Sequence, residues 1–398
     1  MKRLLASVAA AVALAVGVPG VASAGSVWAI QPVPMPSNAA HASLAGVSCW
    51  SKAGCITVGK FCYRNHCLRT HALAEEWDGS AWSIQALRRP GATWNSSLTG
   101  ISCESARSCT AVGTVSNTPG AGYPGAATAE RWNGSVWAVQ RLKTPAHGAA
   151  TSLSGVSCTA AAQCTAVGVW GRPGVSRPLA ERWNGHAWVI QPTPHPAGAS
   201  LSELNAVSCA TATSCLAVGT IPAASSSLGT PLAESWDGSA WTLQSIPGPP
   251  GSTGTLMTGL SCASPASCIA TGYYFTGPVT FHALAEYWNG SAWTIQSTPA
   301  SPATENSQLN AVSCVSATSC TAVGIYSRGV PAEVTGLGAL AEYWNGRVWR
   351  QVQTTHPSGH NLLYGVSCLF PRSCTAVGAI RQSGIDAGEK TTPLAEQE

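Results

Sequence analysis

Charge is scarce in this 398-residue sequence: only 10% of its residues are charged, and the formal net charge is +4. Removing the two cations of the leader described below lowers that charge to +2 over 374 residues (4 − 2, and 398 − 24). Phosphate binding requires clustered Lys and Arg, so nucleic acid is not expected as a partner. The 45% hydrophobic content, spread in a periodic pattern, excludes a disordered chain.

Long hydrophobic runs are missing after the first residues of the chain. Lys2 and Arg3 precede an apolar stretch at 4–18, and a small-residue cleavage signal ends at Ala24. The stretch is too short for a membrane anchor and has the form of a secretory signal peptide. We therefore expect residues 1–24 to be removed and the remainder, 25–398, to be one secreted, extracellular and monomeric domain without a transmembrane segment.

Residues that carry chemistry are few and scattered. Asp occurs only as Asp78, Asp237 and Asp386, and the sequence has no EF-hand loop, zinc-protease helix, serine-hydrolase elbow or phosphate-binding glycine loop. No catalytic residue, metal ligand or cofactor is assigned. Four glutamates outside the repeated pattern could still form a pair of carboxylates of the kind that glycosidases use. They are Glu203, Glu305, Glu333 and Glu389.

Cysteine is abundant, with 16 residues. In an exported chain, regularly spaced cysteines indicate disulfides. Seven pairs have members six residues apart, and the two remaining cysteines are left for each other. The pairs are Cys49 and Cys55, Cys103 and Cys109, Cys158 and Cys164, Cys209 and Cys215, Cys262 and Cys268, Cys314 and Cys320, Cys368 and Cys374, and finally Cys62 and Cys67. Neither convergent zinc ligands nor a Cys-x-x-Cys redox pair is present.

Each six-spaced cysteine pair lies near the start of one copy of a repeat, which continues into a Trp-Asn/Asp-Gly-x-x-Trp hairpin. The copies begin near residues 44, 98, 153, 204, 257, 309 and 363. A period near fifty indicates a repeat protein. The last copy stops at Glu398 before its Gly-x-x-Trp half, and that half occurs at the other end of the chain, at 25–28. We expect residues 26–31 to complete the last copy and so to close a circular array.

Each copy contains four short segments rich in β-branched and aromatic residues and bounded by turn residues. This pattern predicts four antiparallel strands, a to d. In the third copy they are residues 153–158, 164–169, 178–183 and 186–191. Seven such units predict an all-β, seven-bladed β-propeller. A β-solenoid is the alternative, but its ends need caps, and the sequence has no cap.

The Asn-Gly or Asp-Gly between strands c and d fits a two-residue type I′ turn. In the first copy this turn would pair Trp77 with Ser80 and put Glu75 opposite Trp82. Alternation then puts the bulky side chains on one face and Ala74 on the other. We expect each blade to press its tryptophans against the alanine face of the next.

The Gly-x-x-Trp that closes the copies resembles the kelch and Asp-box (BNR-type) groups of propellers. It occurs at residues 79–82, 134–137, 185–188, 238–241, 290–293 and 346–349. The resemblance spans the mature chain and implies the fold. The place of the Asp-box acid is taken by a tryptophan such as Trp77, and the double glycine of kelch blades is absent, so no activity is carried over.

A glutamate recurs in strand c of every copy. A ring of carboxylates suggests calcium binding or acid catalysis, but the third strand from the axis keeps these side chains far apart. We expect them to accept backbone or indole N–H bonds inside the blade, and we expect the repeated tryptophans to form the core. The glutamates are Glu75, Glu130, Glu181, Glu234, Glu286, Glu342 and Glu396.

The copies differ most in their b–c and d–a connections, which lie at the opposite end from the nearly identical a–b and c–d turns. Loops on a rigid scaffold usually carry binding residues. The candidate ligand-binding residues there are Trp94, Tyr123, Trp170, Arg172, Tyr273, Tyr274 and Tyr326. The predicted function is a carbohydrate- or protein-binding module for a glycan or cell-surface protein. A glycoside-directed hydrolase or lyase on the same face and a structural cell-envelope protein are the alternatives.

Overall fold

The computed structural model describes residues 28–63, 67, 69–88, 95–117, 125–145, 150–223, 228–299, 305–328, 336–355, 357–382 and 390–398. These residues form β-strands joined by turns and loops and contain no helix. Across the same ranges, therefore, no helix is long and apolar enough to cross a membrane. The proposed leader, 1–24, lies outside the described residues.

The strands fall into units of four, which we number 1 to 7 along the chain. Units 1 to 3 consist of β2 (His41–Ser51), β3 (Gly54–Cys62), β4 (His71–Trp77) and β5 (Trp82–Ile84); β6 (Asn95–Ser105), β7 (Ser108–Ser116), β8 (Ala126–Trp132) and β9 (Trp137–Gln140); and β10 (Ala150–Ala160), β11 (Gln163–Arg172), β12 (Val175–Trp183) and β13 (Trp188–Gln191). Units 4 and 5 consist of β14 (Glu203–Thr211), β15 (Ser214–Pro222), β16 (Gly229–Trp236) and β17 (Trp241–Gln244); and β18 (Gly254–Ser264), β19 (Ser267–Phe275), β20 (Phe281–Trp288) and β21 (Trp293–Gln296). Unit 6 consists of β22 (Glu305–Ser316), β23 (Ser319–Arg328), β24 (Gly336–Trp344) and β25 (Trp349–Val352), and unit 7 of β26 (His360–Phe370), β27 (Ser373–Gln382), β28 (Lys390–Gln397) and β1 (Ala29–Gln31).

Units 2 to 6 are separate four-stranded antiparallel sheets, each in sequence order. Units 7 and 1 belong to one eight-stranded sheet, because a single parallel bridge joins Thr391 of β28 to His41 of β2. The first strand of the chain, β1, pairs antiparallel with β28, with Ile30 opposite Glu396. Strands from the two ends of the chain therefore lie side by side.

All eight predicted disulfides are present, seven of them across a–b hairpins. In unit 1, Cys49 lies directly opposite Cys55 in the ladder, with their Cα atoms 4.0 Å apart. The Cα atoms of Cys62 and Cys67 are 5.3 Å apart. Antiparallel neighbours come close enough for a disulfide, so the register of strands a and b positions the two sulfurs without a further contact.

The predicted two-residue c–d turn is wrong, because the side chain of its first residue extends the loop. Asp78 Oδ1 accepts hydrogen bonds from the backbone N–H groups of Ser80 (2.8 Å) and Ala81 (2.9 Å), which makes a four-residue loop. Only Gly79 has a positive φ, whereas a type I′ turn needs two such residues. Trp77 therefore pairs with Trp82 and not with Ser80. The register moves by two residues, so the predicted faces survive.

Neighbouring units pack a tryptophan face against an alanine face, as expected, but in the opposite direction along the chain. Trp132 and Trp137 of unit 2 share a core cluster with Ala74 of the preceding unit. In the same way Trp82 of unit 1 packs in a cluster with Ala395 of unit 7. Burying a large aromatic side chain supplies several kcal/mol at most, on the order of 25 cal/mol per Å².

A serine–cysteine hydrogen bond links the first strands of neighbouring units. The hydroxyl oxygen of Ser48 in unit 1 accepts from the backbone N–H of Cys103 in unit 2 at 2.9 Å. The same bond recurs from Cys158 to Ser102, Cys209 to Ser157, Cys262 to Ser208, Cys314 to Ser261, Cys368 to Ser313 and Cys49 to Ser367. Repeated four-stranded antiparallel sheets linked in this way are consistent with a β-propeller.

Candidate functional site

The two ends of the units differ, and we name them for their connections. The turn end carries the disulfide-bearing a–b turns and the c–d turns, and the loop end carries the b–c and d–a connections. At the turn end the c–d glycine lies against the a–b turn of its own unit: a Cβ on Gly290 would lie 2.9 Å from the Cβ of Ala266. An equivalent contact joins Gly238 to Thr213. This contact between the c–d glycine and the a–b turn recurs from unit to unit.

Three predicted ligand-binding aromatics, Trp170, Tyr274 and Tyr326, occupy one register position at the end of strand b. Each lies six residues after the second cysteine of its unit, is half-buried and packs against a core cluster. Phe61 and Ile380 fill the same position in units 1 and 7. A recurring apolar side chain there closes the core at the loop end. The ligand-binding role of the three aromatics stays a prediction.

The other predicted residues are distributed differently. Trp94 and Tyr123 lie outside the described residues. Arg172 is exposed at the end of β11. Tyr273 lies on the opposite face of β19 from Tyr274, in an aromatic cluster described next.

Three aromatic rings meet at the loop end of unit 5. The ring centroids of Tyr273 and Phe275 are 5.6 Å apart, those of Tyr273 and Phe281 5.6 Å, and those of Phe275 and Phe281 5.8 Å. Such separations fall in the range where aromatic pairs attract beyond their simple burial. Phe275 and Phe281 are also cross-strand partners in the b–c ladder. Phe281 is not among the residues predicted from the sequence, because it begins a repeated strand, although its position opposite Phe275 in the ladder could have revealed it.

A cavity of about 420 Å³ opens beside this cluster, between units 5 and 6. Its unit 5 wall is apolar, and its unit 6 wall adds two amides and a hydroxyl. The lining residues are Phe275, Val279, Phe281, Asn306, Gln308, Ile325, Ser327 and Leu337. Two phenylalanines facing a few polar groups form a site that suits a ligand with an apolar face and hydroxyl groups.

Asn306 holds the two walls of this cavity together. Its Oδ1 accepts from the backbone N–H of Phe281 at 3.0 Å, and its Nδ2 donates to the carbonyl oxygen of Val279 at 3.1 Å. Because Asn306 is buried, these bonds fix the start of β20 and the preceding loop against unit 6. The cavity is thus supported by a buried cross-unit contact.

A second cavity at the loop end, of about 250 Å³, lies beside Trp170. Its lining includes Arg177 and His195. Both ring nitrogens of His195 are occupied: Nε2 lies 2.7 Å from the carbonyl oxygen of Ala199 and Nδ1 lies 3.2 Å from Ser202 Oγ. A histidine bonded on both sides orders its loop, so we assign it no chemistry.

The repeated glutamates are buried in every unit, but most of the hydrogen bonds expected of them are missing. Glu181 Oε2 accepts from the backbone N–H of Lys143 at 3.4 Å, whereas neither carboxyl oxygen of Glu75, Glu234 or Glu286 has a partner in the part of the chain that the structure describes. Burial raises the pKa of Glu75, Glu234, Glu286 and Glu342 to about 8 and that of Glu130, Glu181 and Glu396 to about 7. Desolvation penalises the charged form, so these side chains favour the neutral acid. They belong to the core, as the tryptophans do.

The described lining of these two cavities contains no pair of carboxylates that could act as a general acid and a general base. The cavities beside Phe281 and Trp170 have no acidic residue in their described lining. Of the four non-repeated acids, Glu203 is half-buried at the start of β14, and burial raises its pKa. The side chain of Glu305, and all of Glu333 and Glu389, lie outside the described residues.

Among the described residues, side chains of metal-ligating types come together in two separate groups. In both groups the sulfurs are already bonded in disulfides. His41 lies with Cys62 and Cys67, and Glu104 lies with Cys158 and Cys164. Both cysteine pairs are disulfides, which offer no thiolate to a metal ion. These residues do not fit a metal centre in their oxidised form.

No protein-family model and no curated protein matches the chain. A solved protein of unknown function from Dyadobacter fermentans is similar over 96% of this chain and 100% of its own, with 10% identity and a TM-score of 0.51. At this identity the likeness shows the fold alone.

Two further solved structures are similar at lower scores. One is the α-L-arabinofuranosidase Arb93A of Fusarium graminearum, with a TM-score of 0.47 and 11% identity over 94% of this chain and 97% of that one. The other is Sqt1 of Chaetomium thermophilum, solved with the N-terminus of ribosomal protein L10, with a TM-score of 0.49 and 8% identity over 93% and 89%. Neither likeness identifies an activity for this chain.

Proposed function

We propose that residues 25–398 form a closed, seven-bladed β-propeller in which the N-terminal strand completes the last blade. The Ser367–Cys49 bond supports closure, because it joins units 7 and 1 as the other six bonds join their neighbours. The packing of Trp82 with Ala395 adds a second contact of the repeating kind across the same junction. The relationship to kelch or Asp-box propellers depends on the Gly-x-x-Trp turns and stays a prediction.

The protein is proposed to be exported, with its leader cleaved after Ala24, and to act as a monomer. Eight disulfides within the described residues support export, because such bonds persist in oxidising compartments outside the cytosol. Each short hairpin bridge stabilises its own blade by roughly 2 kcal/mol in the chain-entropy model. A scaffold clipped in every blade suits a protein that meets its ligand outside the cell.

Its function is proposed to be the binding of a glycan or cell-surface protein at the loop end, in the cavity between units 5 and 6. The observation that carries this proposal is the pairing of an aromatic wall, Phe275 and Phe281, with the amides of Asn306 and Gln308 and the hydroxyl of Ser327. Aromatic rings supply flat contact area, and a few fixed polar groups set the orientation of the ligand. We favour binding over hydrolysis because no carboxylate lines the described part of this cavity.

The test is binding of the purified mature protein to a glycan panel and to intact cell walls. Phe281→Ala removes one aromatic wall and should weaken binding about thirtyfold, the loss of an aromatic hot spot of roughly 2 kcal/mol. Val279→Ala removes an exposed lining side chain with little risk to folding and should weaken binding severalfold. Wild-type protein that binds neither panel nor cell walls would overturn the proposal.

A matched control comes from the turn end. Val348 is 47% exposed and Val279 is 48% exposed, so Val348→Ala removes a similar surface at the other end of the molecule. It should bind like wild type. If Val348→Ala loses binding while both cavity variants retain it, the ligand binds at the turn end and not at the loop end.

A further inference from the structure

A third cavity, of about 480 Å³, lies at the junction of units 7 and 1. Residues far apart in sequence line it: His41 and Lys60 come from unit 1, and Tyr364 and Arg381 come from unit 7. It is separate from the cavity between units 5 and 6. His41 and Thr391, which form the parallel bridge between β2 and β28, also line it.

The lining of this junction cavity carries cations and no described acid. Lys60 and Arg381 are both exposed at its edge, and neither forms an ion pair within the described chain. No Asp or Glu is among its described lining residues. Two cations in one concave surface, with no acidic partner among the described residues, produce a positive potential that attracts anions.

Hydrogen-bond donors lie deeper in the same cavity. The phenol of Tyr364 is half-buried near the Arg381 guanidinium in this lining, and its hydroxyl can donate to an acceptor in the cavity. Burial raises the pKa of Tyr364, with a smaller opposing effect of Arg381, so the phenol stays protonated at neutral pH. A protonated phenol beside a guanidinium can donate to an oxyanion while the cation neutralises it.

His41 adds a polar atom without a partner. Its Nδ1 accepts from the backbone N–H of Thr391 at 3.2 Å, so the neutral ring carries its hydrogen on Nε2. That Nε2 is buried and has no hydrogen-bond partner among the described residues. Buried polar atoms are rarely left unpaired in folded proteins, so this N–H donor still needs an acceptor.

We propose that the junction cavity binds the carboxylate of an anionic ligand, with Lys60 and Arg381 supplying charge and Tyr364 supplying a donor. Lys60 and Arg381 lie on different units, so a bound carboxylate would bridge the two ends of the chain. Such a ligand binds the folded protein and not the unfolded chain, and therefore raises the melting temperature.

The test is calorimetric titration of the mature protein with sodium glucuronate, sodium acetate and glucose, combined with thermal melting in each. Glucuronate should bind and raise the melting temperature, and glucose, which lacks the carboxylate, should do neither at the same concentration. Lys60→Gln/Arg381→Gln should weaken glucuronate binding at least tenfold, and Tyr364→Phe should weaken it severalfold. Binding of acetate as tight as that of glucuronate would assign recognition to the carboxylate alone and would support the site.

The matched control removes the same charge elsewhere. Lys52→Gln/Arg347→Gln deletes two exposed cations at the turn end and should leave glucuronate binding unchanged. Equal weakening of glucuronate binding in both double variants would show that only the net charge of the protein matters, and would overturn the proposed site. So would wild-type protein that binds neither glucuronate nor acetate, or a Lys60→Gln/Arg381→Gln variant that binds glucuronate like wild type.

Discussion

The turn end and the loop end are built from the same strands, but the turn end repeats its contacts in more units than the loop end does. At the turn end, a disulfide spans the a–b hairpin, and in units 1 to 6 an Asp or Asn side chain caps the c–d loop, as Asp78 does in unit 1. At the loop end, one register position holds Phe61, Trp170, Tyr274 or Ile380 according to the unit. Neighbouring units there enclose cavities with apolar, aromatic or cationic linings.

This difference separates what the repeat specifies from what it leaves free. Contacts inside a unit, and contacts that recur between all neighbours, determine the scaffold. A cavity between two units depends on two unlike copies, such as the phenylalanines of unit 5 with Asn306 of unit 6. The lining of these cavities can therefore change at the loop end while the turn end still holds each unit together.

The largest effect should come from the core that all units share, through its seven buried glutamates. Burial raises their folded pKa values from the ordinary 4.5 to about 7 to 8, so the folded state binds more protons than the unfolded chain at neutral pH. Stability is then full below pH 4.5 and is lost as pH rises to about 8, by at most on the order of 1 kcal/mol per pH unit for each carboxyl. Denaturant unfolding between pH 5 and 9 measures this loss.

Variants separate the core acids from the turn acids. Glu286→Gln removes one titrating carboxyl and should make the pH dependence shallower. Asp237 is exposed at the turn end, and hydrogen bonds, first that from the Ala240 backbone, lower its pKa to about 2. Its contribution is present above pH 3.8 and lost toward pH 2, so Asp237→Asn should leave the slope between pH 5 and 9 unchanged. A flat wild-type profile in that range would contradict the buried-acid core.

The next effect tests whether unit 7 is equivalent to the others. Trp28 and Trp188 are both fully buried at the same repeat position. Replacing either with Ala should cost about 3 to 5 kcal/mol, the usual loss for a core tryptophan. The exposed neighbours Ile30 and Val189, at 39% and 42% exposure, supply Ala controls with losses within about 0.5 kcal/mol. A much smaller loss for Trp28 than for Trp188, measured by urea unfolding, would exclude the N-terminal strand from the shared scaffold.

An intermediate effect is expected at the loop-end aromatics. Tyr274 is half-buried against the core shared by units 4 and 5, so Tyr274→Ala should destabilise by about 1 to 3 kcal/mol. This differs from the behaviour of a purely surface ligand contact, whose removal stays within about 0.5 kcal/mol. Thermal melting of Tyr274→Ala beside Val175→Ala, at a 46% exposed site, makes the comparison. Equal melting temperatures of the two variants would show that Tyr274 contributes no more to stability than a surface side chain.

The smallest effect sharpens the comparison at the junction of the chain ends. Ser367→Ala removes the acceptor of the Cys49 N–H, and Ser157→Ala removes the same bond between units 3 and 4. In a closed ring both changes should cost about 1 kcal/mol. If Ser157→Ala destabilises the protein and Ser367→Ala does not, as judged by urea midpoints, the ring is open between units 7 and 1.

The sequence predicts the scaffold better than the sites, for reasons visible in single residues. Cysteine spacing identifies every bridge, and apolar alternation identifies the four strands of each unit. The c–d register is wrong because the carboxylate of Asp78 competes with a backbone turn, which spacing alone does not reveal. Phe281 bonds to Asn306, and Lys60 and Arg381 line one cavity, only because neighbouring units pack together. No local sequence pattern indicates which loop ends face each other.

The most direct test of the division between the two ends is hydrogen exchange with mass spectrometry, comparing the free mature protein with its complex with the tightest ligand from the glycan panel. We expect protection confined to the loop end, at residues 273–281 and 325–327, with unchanged exchange at the turns 315–319 and 345–348. Protection at those turns, with none at the loop end, would contradict it.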